Sequence, residues 1–279
     1  MELKFWGVRG SIPTPGPYTV EVGGNTTCVS LHLNDYVFVF DAGTGIRQLG
    51  RYLEDEERSR WKGGIFLTHY HWDHIQGLPF FTPVFRKENR FSIYGESKKG
   101  VAIEELLCEQ MEPPYFPVDM ECLEGLVTFV EVRPGLDVEI FPGVSIHTVR
   151  LSHPNGAIGY RLETPQGSLC FITDHEHPAG GLSKSVVEFV QGTTVLIHDA
   201  QYTPEEKQGP KAGWGHSSWE EAALTAREGK VSKLYLIHHD PDRIDRHVMA
   251  ILQAAQSVFL NTEIATESTA YDFGNFEAI

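Results

Sequence analysis

The chain has 279 residues, 41% of them hydrophobic, enough to bury a substantial core, and 1–279 is expected to form a single domain. Its formal net charge is −15 and no basic run is longer than a pair such as Lys98 and Lys99, which makes long nucleic acids poor candidate partners, because phosphate contacts supply most of that affinity. No run of 18 apolar residues suggests a membrane span, and "MELKFWGVRG" lacks the apolar core and cleavage site of a secretory signal, so the expected location is the cytoplasm.

Short apolar runs bounded by Gly, Pro and Asn read as strands at 3–8, 27–33, 36–42, 64–69, 91–95, 126–132, 144–151, 158–164, 168–174, 193–199 and 233–239. Helical patterns lie between them at 44–53, 99–111, 182–190, 218–229 and 242–258. "SSWEEAALTARE" opens with a serine N-cap and acidic residues in the first turn, where they favour the helix dipole. Strands interrupted by helices point to an α/β chain with two sheets covered by outer helices. The stretch 110–125, rich in proline and aromatics, reads as a long loop. Cys28, Cys108, Cys122 and Cys170 form no C-x-x-C pair and read as reduced thiols.

The densest chemistry is "THYHWDHIQG" at 68–77, which puts His69, His71, Asp73 and His74 within six consecutive positions. His69 and His71, two apart at a strand end, can point the same way, while Asp73 and His74 fall on the next turn. Four ligands are too many for one tetrahedral catalytic ion that keeps a water position open. The spacing suits two ions, each completed by residues from far along the chain.

This stretch resembles the metal-binding signature of the metallo-β-lactamase superfamily, whose fold is a four-layer αββα sandwich with a two-metal site. The resemblance extends in order through "LSHPNGAIGY", "FITDHE" and "LYLIHHD", and so covers nearly the whole chain. It implies that His69, His71 and His153 bind one metal, that Asp73, His74 and His238 bind the other, and that Asp174 bridges them. Imidazole and carboxylate donors suit Zn²⁺, with Mn²⁺ or Fe²⁺ as alternatives. His175, His177 and His239 read as supporting donors or spares, with His239 the alternative to His238. His32, His147, His198 and His247 read as structural, and Asp41 as a turn-former or a carboxylate supporting a ligand.

"LIHDAQYT" and "GWGHSSWEEAA" resemble the phosphodiesterase branch that includes ribonuclease Z, as do "FWGVRGSIPTPG" and "FDAGTGIR". In that branch an acidic residue pairs with a histidine at a helix start; the matching residues are Asp199 and His216. The expected reaction is attack of a metal-bridging hydroxide on a small nucleotide or cyclic phosphodiester, with Asp73 orienting the hydroxide or accepting its proton. A carboxylate-held imidazole would contact the phosphoryl oxygen or protonate the leaving group. Ribonuclease Z inserts a tRNA-gripping arm between the third-motif histidine and the bridging aspartate. Here Asp174 follows His153 by 21 residues, room only for a hairpin.

Aromatics at 77–85 and 113–117 could stack a flat group or simply anchor core and loop. The alternative reading is an acyl hydrolase (lactonase, thioesterase or β-lactam hydrolase) using the same metals without need of the Asp199–His216 pair. A non-catalytic metal-binding module is a third. Oxygen- or NO-reducing members are disfavoured, because they carry a flavin domain. Dimers are common in this branch, so a homodimer is an open expectation.

Overall fold

The computed structural model describes residues 1–279 apart from 57–59, 118–126, 268 and 275–279. The chain forms two compact units.

The first unit combines Met1–Gly7, Asn25–Arg133 and Glu267–Ile279. Its strands are β1 (Glu2–Gly7), β2 (Cys28–Leu33), β3 (Tyr36–Phe40), β4 (Lys62–Phe66), β5 (Arg90–Gly95), β6 (Val127–Glu131) and β14 (Ala270–Asp272), in the order β14-β1-β2-β3-β4-β5-β6. β14, β1, β2 and β3 pair antiparallel, and β3 to β6 pair parallel. Its helices are α1 (Ile46–Asp55), α2 (Trp72–Ile75) and α3 (Ile103–Glu109). "YVFVF" of β3, antiparallel to β2 and parallel to β4, is buried at all but its first residue, as expected for a strand covered on both faces. Ile46, Leu49 and Leu53, at 3–4-residue spacing on α1, pack into a core with Val37, Val39, Ile65 and Ile93.

The second unit combines Val8–Gly24 and Pro134–Thr266. It contains β7 (Asp137–Phe141), β8 (Val144–Leu151), β9 (Ala157–Thr164), β10 (Gly167–Ile172), β11 (Val195–Asp199), β12 (Lys233–Ile237) and β13 (Thr262–Ile264), in the order β13-β12-β11-β10-β9-β8-β7. The same division recurs: β7 to β10 pair antiparallel and β10 to β13 parallel. Its helices are α4 (Lys184–Phe189), α5 (Pro204–Gln208), α6 (Trp219–Glu228) and α7 (Asp245–Val258). Ser218 caps α6 in a capping box with Glu221, as the sequence predicts.

The strands and the five longer helices read from sequence are all present, with ends shifted by up to four residues. β7, β13, β14, α2 and α5 were not read from the sequence; β13 and β14 span three residues and α2 four, too few to display a period. The loop expected at 110–125 lies in part outside the described residues, as does Cys122; Cys28 and Cys170 are buried free thiols. Among the described residues no helix is long and apolar enough to cross a membrane.

Candidate metal centre

In both units most candidate residues lie at or just beyond the C-terminal ends of parallel strands, where open α/β sheets present their binding groups, while His153 follows the antiparallel β8 and His216 precedes α6. Asp41 follows β3, His69 follows β4, Asp174 follows β10, Asp199 ends β11 and His238 follows β12. Asp41, Asp174 and His238 have φ of 59°, 55° and 63°. Left-handed backbone is costly for residues with a Cβ, and its recurrence at these three turns marks positions where side-chain aim outweighs backbone comfort.

In the first unit His71 caps α2 with extended backbone (φ −65°, ψ 150°), so Asp73 and His74 enter the helix while His69 stays in the preceding turn. The rings of His69 and His71 lie 4.4 Å apart, and those of His69 and His74 4.2 Å apart. Asp41 organises the group. It accepts the Thr68 N–H at 2.8 Å and the His74 Nδ1–H at 2.8 Å, which leaves His74 Nε2 facing Asp73 Oδ2 at 3.3 Å. Burial raises the Asp41 carboxyl above its ordinary value, opposed by the adjacent His74 imidazole and by the hydrogen bonds from His74 and Thr68. Asp41 thus supports a candidate ligand.

The "DAG" turn also holds α2 through its backbone: the Ala42 N–H donates to the His74 carbonyl at 2.8 Å and the Gly77 N–H to the Ala42 carbonyl at 2.9 Å. A Cβ at Gly43 would lie 2.3 Å from the Asp73 carbonyl oxygen, so this approach requires glycine.

In the second unit Asp174 is the hub. His238 Nε2 lies 3.1 Å from its Oδ1 and His153 Nε2 lies 3.4 Å from its Oδ2. His216 donates Nδ1–H to Asp199 Oδ2 at 3.0 Å. The donor atoms of Asp174, Asp199, His216 and His238 lie within 4.8 Å of one another, and all four residues are buried. Burial pushes the Asp199 carboxyl up, but His216 and His238 outweigh it and hold the group below the ordinary carboxylate value. Asp199 therefore stays ionised and orients His216.

The tautomers follow from acceptor-only partners. His153 donates Nδ1–H to the Gly215 carbonyl at 2.8 Å, and His238 donates Nδ1–H to Gln201 Oε1 at 3.0 Å. In the neutral rings both Nε2 atoms then carry lone pairs, and both face the oxygens of one carboxylate. Lone pairs aimed at a carboxylate repel unless a cation lies among them, so this donor set fits a divalent metal.

Gln201, Glu176, Gly10 and Gly215 went unread in the sequence. Gln201 also donates its backbone N–H to Asp199 Oδ1 at 3.0 Å, so one residue steadies both a candidate ligand and the carboxylate behind His216. A Cβ at Gly10 would lie 2.5 Å from His238 Cε1 and Nδ1; the backbone there forms a shelf against the ring.

The rings of the remaining histidines are not among these donor groups, although the His175 N–H reaches Asp199 Oδ2 at 3.4 Å. His239 is fully buried, and burial with the nearby Arg9 and Arg243 pushes it down to about 3. His175 accepts the Ser152 N–H at 3.0 Å, and burial pushes it down to about 3. His177 accepts the Ser183 N–H at 3.0 Å and contacts Thr225 Oγ1 at 3.2 Å. His198 donates to the Asp199 carbonyl, His32 contacts Ser30 Oγ and His147 contacts Asp137, while His247 is exposed on α7.

The family described as "Beta-lactamase superfamily domain" matches residues 36–239. A ribonuclease Z of Thermoplasma acidophilum is 25% identical over 318 aligned positions, covering 98% of this chain and 96% of its own. Among solved structures, Zn²⁺-bound PqqB from Methylobacterium extorquens superposes with a TM-score of 0.73 at 15% identity, covering 98% of this chain and 100% of its own. A diphosphatase from the PhnP family superposes with a TM-score of 0.69 at 19% identity, covering 99% of this chain and 98% of its own. These likenesses, with the two mixed sheets and their helices, give the chain the metallo-β-lactamase type of α/β fold.

Proposed function

The chain belongs to the beta-lactamase superfamily, and from that premise we propose that it is a metal-dependent phosphodiesterase acting on a small nucleotide or cyclic phosphodiester. His69, His71, Asp73 and His74 with His153, Asp174 and His238 would hold two divalent ions, Zn²⁺ being the best match to the donors and Mn²⁺ or Fe²⁺ the alternatives. Bound metal would supply the positive charge that neutralises phosphoryl oxygens and the acidity that makes water nucleophilic at neutral pH.

The observation that carries the reading is the Asp199–His216 pair beside Asp174. A phosphodiester is already an anion and gathers further charge on its non-bridging oxygens and leaving alkoxide in the transition state, so a second cationic donor beside the metals serves it directly, whereas the neutral carbonyl of an acyl substrate lacks that standing charge. The ionised Asp199 favours the charged imidazole and sets its orientation, so His216 would contact the phosphoryl oxygen or donate the leaving-group proton. Asp73 would orient the attacking water or take its proton.

The relatives named ribonuclease Z favour RNA as a second reading. Two features support the smaller substrate. The interval between His153 and Asp174 holds only β9, β10 and their turns, and the chain carries a net charge of −15. The alignment with the Thermoplasma protein runs over 318 positions against 279 residues here, so that relative carries segments without a counterpart in this chain.

The test is hydrolysis of bis(p-nitrophenyl) phosphate, cyclic nucleotides and a precursor tRNA with Zn²⁺ or Mn²⁺. The expected result is turnover of the small esters, abolished by His71→Ala and reduced about 10²-fold or more by His216→Ala. Absence of metal-dependent turnover of any phosphodiester would overturn the proposal. Lactone or thioester cleavage that survives His216→Ala would establish the acyl reading, and preferential cleavage of the tRNA the RNA one.

A further inference from the structure

We propose that Trp214, backed by Lys211, forms a nucleobase-stacking subsite next to His216, which makes the substrate an aromatic nucleotide ester; this rests on the phosphodiesterase reading above. Trp214 is 56% exposed although it is a large apolar ring two residues before a buried candidate catalytic histidine. The loop that carries it is built rather than slack. The carboxylate of Glu176 accepts the N–H of Gly213 and the N–H of Gly215, both at 2.8 Å, and so grips the backbone on either side of the indole. Both glycines have left-handed backbone, φ 81° and 91°, which only glycine adopts without strain. A Cβ at Gly215 would lie 2.3 Å from His153 Nδ1, so the loop is pressed against a candidate ligand.

Lys211 fixes the indole. Its Nζ lies 4.2 Å from the Trp214 ring centroid and 5.6 Å from that of Tyr202. The Tyr202 ring meets the His216 ring edge-to-face at 5.6 Å, so one chain of contacts runs from the candidate catalytic imidazole to the exposed indole. The nearby Lys207 is neutralised by Glu221, whereas among the described residues no carboxylate pairs with Lys211. In a chain of net charge −15, this leaves a positive charge beside an open aromatic surface. A planar, electron-poor ring attached to an anion suits that pairing, because every nucleobase offers a π-face to stack on an indole.

The test is calorimetric binding of AMP and of ribose 5-phosphate to the Zn²⁺-loaded protein, neither probe containing a phosphodiester to cleave. Wild type is expected to prefer AMP over ribose 5-phosphate by fivefold or more. Trp214→Ala is expected to erase that preference by weakening AMP alone, and Trp214→Phe to keep most of it. Equal binding of the two probes by wild type, or equal weakening of both by Trp214→Ala, would overturn the subsite. A Trp214-dependent preference for AMP in a protein that hydrolyses no phosphodiester would uphold the subsite while removing the proposed reaction.

Discussion

Gln201 Oε1 accepts the Nδ1–H of His238 at 3.0 Å, and this one bond sets which nitrogen of that imidazole faces Asp174. Removing the acceptor frees the ring to rotate and to change tautomer. Gln201→Leu is therefore expected to lower metal affinity about 10–100-fold, while Gln201→Glu, which keeps an acceptor, retains it. Competition with a chromogenic Zn²⁺ chelator measures this directly. Wild-type affinity in Gln201→Leu would show that His238 needs no such partner.

Gly10 makes a second prediction about the same ring. The Gly10 N–H donates to the His239 carbonyl at 3.0 Å, so its backbone cannot retreat without losing that bond. A methyl group in Gly10→Ala would lie 2.5 Å from the ring atoms, and the imidazole must swing aside. The expected cost is about 1–3 kcal/mol, the usual range for overpacking a filled site. Urea unfolding should report that loss, with less Zn²⁺ retained after dialysis against a weak chelator. Unchanged values of both would place the ring elsewhere in solution.

His177 predicts an acid-side loss of stability. Burial, followed by the neighbouring His175, His198 and Lys207, pushes its folded value well below that of an exposed histidine. The unfolded chain then binds the proton more readily, so this contribution is complete above about pH 6.5 and declines as pH falls. Each pH unit below that value should cost about 1.4 kcal/mol for this group. His177→Asn keeps an acceptor for the Ser183 N–H but cannot titrate. The metal-free variant should lose about 2 kcal/mol less than metal-free wild type between pH 6.5 and pH 5 in urea unfolding. Parallel stability profiles would show that His177 is not neutral in the folded state.

Much of the fold was legible because its central strands are continuous apolar runs. "VLIHD" in β11 and "YVFVF" in β3 could be little else than strands buried on both faces. Among the edge strands β6 was legible but β13 and β14 were not: they span three residues each and form because a neighbour offers a free ladder, which no period in their own sequence announces. The expected strands at 64–69 and 168–174 ran past their ends. β4 stops at Phe66 and β10 at Ile172, and the chain then turns to aim His69 and Asp174.

The candidate ligands were legible for a related reason. His69, His71, Asp73 and His74 sit within six consecutive positions, and His153, Asp174 and His238 each follow an apolar strand. The sequence by itself therefore determined the kinds of donor and the strand ends that carry them, because covalent spacing and strand burial are local properties. Only the tertiary structure decided which nitrogen of each imidazole faces Asp174, that His238 rather than His239 lies beside it, and that Glu176 holds the loop of Trp214. These choices depend on hydrogen bonds between groups far apart in the chain, such as Gln201 with His238, and on the space left beside a ring by Gly10. Such contacts have no sequence period and exist only once the sheets and their turns have brought the groups together.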